Sequence, residues 1–128
     1  MSKELIFLPI DFMDDSRGYS HQVLQFGSNY DFFDELEKLN SMPVCKDFTS
    51  FVSRQGLPGM SEEDIPSDSH YGITTEDDYG HEVRYVLAGE LVALISKFPK
   101  ENWSLRQQAA IAYISVLPEN HKVALTFH

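Results

Sequence analysis

The chain has 128 residues, a hydrophobic share of 42% and a formal net charge of −10. That length and apolar content suffice for a single domain, 1–128, with its own core and no need of a disulfide or metal staple. A surface this acidic repels phosphate backbones and anionic lipid, which argues against direct nucleic-acid or membrane binding and suits solubility or a basic protein partner.

Near the N-terminus, "ELIFLPIDFM" reads as an opening β-strand from about Glu4. Its apolar run is too short for a signal peptide or a membrane span. Pro9 lacks an amide donor, so it is expected on an edge or at a bulge. "DDSRGYSH" reads as a turn-rich loop. "HQVLQFG" alternates, with Val23 opposing Leu24 and Phe26, and is expected to pair with the first strand.

"SNYDFFDELEKLN" predicts a helix capped by Ser28 or Asn29, with Phe32, Phe33, Leu36 and Leu39 on one face. "VCKDFTSFVSRQ" reads as irregular or a short helix. It holds Cys45, the chain's one cysteine, so no intrachain disulfide forms and a reducing, cytoplasmic setting is expected. From Gly56 to about residue 82 the chain has little periodicity. A loop that long in a compact domain is usually functional or disordered.

"HEVRYVL" predicts a brief strand that runs into the helix "AGELVALISKF". "SLRQQAAIAYISVL" predicts a further helix, with Ser104 and Gln107 as a capping box. "HKVALTFH" predicts a terminal strand, expected to lie beside the first. The order points to an α+β fold: a small antiparallel or mixed sheet with about three helices packed on one face.

Chemistry-bearing residues gather in the irregular segments. "SRGYS" and "SRQG" place Arg17 and Arg54 in turns, and Arg84 lies at a loop edge. Guanidinium suits phosphate or carboxylate bidentately, although local acids compete for it. Tyr30, Tyr71 and Tyr85 lie in or beside the same segments and suit stacking on a flat ring. His70 and His81 add hydrogen bonds. Acids flank both histidines, but no HxH, HExxH or CxxC pattern occurs, so no metal or other cofactor is expected. No G-x-S-x-G elbow marks a nucleophile.

Several stretches, taken in order, resemble a family of small phage and prophage proteins. They are "SNYDFFDEL", "RQGLPGMSEED", the His/Asp loop leading to "YVLAGEL", and "HKVALTFH". That family shows "RNYDLF", an "RGLP" turn, "D-x-HS-x-SWLT-x-x-EL" and a closing "VRLVFWFDN". Asn29, Tyr30 and Asp31 match the first motif and Gly56, Leu57 and Pro58 the second. His81, Tyr85, Glu90 and Leu91 fall at the third. The family's opening "GCDIH" is replaced here by "LIFLPIDFM", and its threonine cap by Leu87. The family has no settled activity, so the resemblance implies a phage origin rather than a mechanism.

The expected function is a phage-type accessory protein of the infected cell. It would sequester a small nucleotide-like ligand, as counter-defence, without catalysis. Its expected binding residues are Arg17, Tyr30, Arg54, His70, Tyr71, His81, Arg84 and Tyr85. Two alternatives stand beside it. One is an acidic inhibitor of a basic host protein, or a nucleic-acid mimic. The other is a hydrolase using His70 or His81 with a neighbouring Asp. The Phe32–Leu39 face and the last helix each offer a surface for a homodimer.

Overall fold

The computed structural model describes residues 3–50 and 72–128. In chain order the elements are β1 (Leu5–Pro9), β2 (Phe12–Met13), β3 (Arg17–Tyr19), β4 (Leu24–Gly27), α1 (Tyr30–Leu36), β5 (Met42–Pro43), β6 (Asp47–Ser50) and β7 (Gly72–Ile73). There follow β8 (Arg84–Leu87), α2 (Ala88–Ile95), a 3₁₀ turn (Lys100–Asn102), α3 (Leu105–Ser115) and β9 (Lys122–Phe127). The fold class is α+β.

Five strands form an antiparallel sheet in the order β4-β1-β9-β8-β5. The first and last strands lie side by side, with Leu5 opposite Phe127 and Pro9 opposite Val123. Pro9 is therefore on a central strand and not an edge. It is tolerated because β4 pairs β1 only as far as Phe7, so beyond that point nothing asks for its missing N–H. Its carbonyl accepts the buried Ser20 hydroxyl at 2.6 Å.

Alternation along β1 sends side chains into two cores. Leu5 and Phe7 join the helices, together with Phe26, Phe32, Val86, Leu91, Trp103, Ile114 and Val123. Ile6 and Leu8 point the other way, where they meet Ile10, Phe48, Val83 and Ala124. The helices cover one face of the main sheet and a second, four-stranded sheet, β2-β3-β6-β7, covers the other. That second sheet is mixed, since β3 and β6 run parallel.

Within the helical core Phe26 sits among three other aromatic rings. Its ring centroid lies 4.8 Å from Phe7, 5.4 Å from Phe32 and 5.1 Å from Trp103. Such pairs add about 0.5–1.5 kcal/mol each beyond the area they bury. Local signals fix the starts of α1 and α3. The Asn29 side chain accepts from Phe32 N at 3.0 Å, and both bonds of the Ser104/Gln107 capping box are present.

Three further expectations change. One sheet becomes two. "DDSRGYSH" is not only a loop, because β3 lies in it, turned back from β2 by the Asp14 carboxylate, which accepts from Ser16 N and Arg17 N. "VCKDFTSFVSRQ", read as irregular or helical, contributes β6 where it is described. Its period-two burial is hidden in the sequence because one inward residue, Ser50, is polar. Its hydroxyl meets that of Thr74, also buried and just past β7, at 2.7 Å.

Candidate functional site

Part of the stretch that looked structureless is a built turn. Glu76 and Glu82 form an antiparallel bridge. Between them the Asp77 carboxylate accepts from Tyr79 N and His81 N, both at 2.9 Å, and Gly80 takes a positive φ of 78°. Short polar side chains that bond the backbone ahead, followed by glycine, are turn chemistry. The turn is tied to the end of β9. Asp78 N donates to the Phe127 carbonyl at 3.2 Å, and the His128 imidazole lies 2.6 Å from the Asp78 carboxylate.

This turn walls a cleft of about 250 Å³ between α1 and the main sheet. Phe33 and Leu36 of α1, with Leu125 and Phe127 of β9, make an apolar floor. Lys3, Glu37, Ser41, Asp77, His81, Glu82 and Arg84 form the rim. The Phe33 and Phe127 rings meet edge to face at 5.0 Å. The Lys3 ammonium lies 4.3 Å from the Phe127 ring centroid and 5.3 Å from that of Tyr79, a cation–π placement that keeps the charge at the cleft mouth.

The eight sequence-derived residues fall as follows. His81 and Arg84 share this cleft. Tyr30 stands beside it, exposed, its ring 5.4 Å from Phe33 and its hydroxyl accepting from Lys3 N at 3.2 Å. Tyr85 neighbours Arg84 on β8, so it projects to the opposite face. There it packs on the second core under the Lys122 ammonium, 5.2 Å from its ring. Arg17 lies on the second sheet with its guanidinium carbon 5.8 Å from the Phe12 ring. Arg54, His70 and Tyr71 lie outside the described residues.

Arg84 is heavily engaged. Its Nε donates to Ser41 Oγ at 2.8 Å, Nη2 to the Ser41 carbonyl at 2.7 Å, and Nη1 to Glu82 Oε2 at 2.6 Å. The edge of the guanidinium that suits bidentate capture is thus turned onto the backbone between α1 and β5. Of the three basic side chains that line the cleft, Arg84 is therefore the one already committed to the protein's own groups.

Sequence reasoning missed Lys3, Phe33 and Phe127 as site residues. The two phenylalanines carried a core pattern, which they also satisfy. Lys3 carried no local signal, since the rings beneath it are 76 and 124 positions away along the chain. Among the described residues no three His, Cys, Asp or Glu side chains converge to hold a metal, and no helix is long and apolar enough to cross a membrane. Comparison with protein-family models, with curated proteins and with solved structures returns no match.

Proposed function

We propose that this chain is a small-ligand-binding protein that captures a nucleotide-like molecule in the cleft between α1 and the 76–82 turn, without transforming it. One observation carries the reading: an aromatic floor of Phe33 and Phe127 lies under a rim that mixes Lys3 and His81 with the carboxylates of Glu37 and Asp77. A base would pack against the apolar floor, ribose hydroxyls would donate to the carboxylates, and an anionic group would meet Lys3 and His81. The cleft volume of about 250 Å³ suits a nucleoside-sized body, with any further part of the ligand left outside. In a chain of phage origin, which the resemblance implies, such capture would be an accessory, counter-defence role.

Thermal-shift measurements with a panel of cyclic and ADP-ribose-type nucleotides test this. At least one should raise Tm, and His81→Ala should remove the rise. No shift with any member of the panel sinks the reading.

A second reading rests on α1, whose outward side carries Asp31 and Asp34, both exposed, with Glu35 half-buried beside them. That face suits a basic protein. Such binding would weaken steeply with salt and leave Tm indifferent to nucleotides.

A further inference from the structure

We propose that the outward face of α3 is a self-association surface, on which a second copy of this chain packs antiparallel, α3 against α3. The helix is apolar on two opposite sides. Its inward side buries Ala110 and Ile114 in the helical core. Its outward side carries Leu105, Ala109, Ala112 and Val116, all exposed, with Leu105 at 83% and Val116 at 82%. Their spacing of 4, 3 and 4 residues is that of an a/d seam. That leaves an exposed apolar stripe opposite the buried one.

Charge selects the occupant. The chain holds 20 acids, yet Leu105–Ser115 contains none, and Arg106 is its single charged residue. A basic partner would gain nothing from that face. Two copies of a −10 chain repel overall, and an acid-free seam is where they can meet without stacking carboxylates. The antiparallel sense follows from the ends. Arg106, in the first turn of one copy, then lies toward the partner's α3 C-terminus, where carbonyl dipoles carry partial negative charge. Ala109 and Ala112 fall at the crossing, and their small side chains let the two helices approach closely.

α3 also stands as a ridge between two grooves. One, toward β4, is lined by Leu24, Ala109 and Tyr113; the other, toward α2, by Val92, Ile95 and Ile111. Under a two-fold axis the same grooves flank the seam on both copies, as an isologous interface requires.

Sedimentation velocity of the intact chain at tens of micromolar tests this. The expected species has twice the 14.6 kDa chain mass, and added salt should favour it by screening the net repulsion. Ala112→Glu should give the 14.6 kDa species with an unchanged circular-dichroism spectrum. Should that variant fail to fold, Val116→Lys, at a site already in solvent, should give the same result. A wild-type chain that is monomeric at both low and high salt overturns the proposal. So does a dimer that persists in both variants.

Discussion

Arg84 and Ser41 lie 43 positions apart in the chain and are joined twice, Nε to the hydroxyl and Nη2 to the carbonyl of the same residue. The pair clamps the end of the α1–β5 connection onto β8 and so sets one side of the cleft. Only a planar fork makes both bonds at once.

Replacing Arg84 should therefore loosen the wall of the cleft as well as the fold. Arg84→Ala is expected to lower stability by about 1–2 kcal/mol, the loss of two partly buried bonds to a charged donor. Arg84→Lys should recover little of it. Glu82→Gln should change stability by less than about 0.5 kcal/mol, because the Glu82–Arg84 pair is largely in solvent. Urea midpoints of the three variants check the order. Equal losses for Arg84→Ala and Glu82→Gln would mean that the ion pair, and not the Ser41 clamp, matters.

Gly80 offers a test of the turn alone. Its φ is +78°, and a Cβ there would meet nothing within 4 Å. Any cost of Gly80→Ala is therefore backbone strain without a clash. We expect about 1 kcal/mol from that source. Gly80→Asn should cost less, because asparagine enters the left-handed region more easily. The same variants should weaken nucleotide binding if the turn walls the ligand. Equal stability of Ala and Asn variants would show that the turn relaxes to another conformation.

Phe48 tests the second sheet. It is fully buried and anchors β6 beneath the main sheet, against Ile6, Leu8 and Val83. Phe48→Ala removes most of the apolar volume that β6 contributes, and should cost about 3–5 kcal/mol. Chemical denaturation should show this as a lower midpoint. A loss below about 1 kcal/mol would mean that the second sheet contributes little to holding the fold.

How far the sequence could be read depended on where each residue's partners lie. The capping residues Asn29 and Ser104 announced their helices because their partners are three positions away. Strand β1 was readable from its continuous apolar run, a pattern that follows from burial on both faces, and β9 from the alternation of Val123, Leu125 and Phe127. The second sheet was not, because its strands are short and its inward positions include Gly18 and Ser50, which do not look like core. His81 and Arg84, singled out by residue type, line one cleft. The floor beneath them was not legible, since Phe33 and Phe127 meet only through tertiary packing. Arg17 carried the same local signal as Arg84, and nothing local places it on a different sheet.

The pH behaviour of Cys45 reports on the edge between the two sheets. The thiol is half-buried, and its pKa is raised. Burial is the main cause. The Asp47 backbone N–H acts in the opposite direction, while the Asp14 and Asp47 carboxylates push it further up. Less thiolate is then present near pH 8 than on a free thiol, so alkylation by iodoacetamide should be slower in the folded chain than in urea. The linkage has a definite sign. The folded state holds the thiol proton more tightly than the unfolded chain does. Its contribution is intact below the unfolded value, near about 8.5, and is lost as pH rises through the higher folded value. The Cys45→Ser variant lacks this component. The stability difference between wild type and variant should therefore be constant up to about pH 8 and should shift against the wild type above it. A difference that stays flat into the alkaline range, or folded and unfolded thiols that alkylate at one rate at pH 8, would show that Cys45 is solvated and that the Asp14 and Asp47 carboxylates do not reach it.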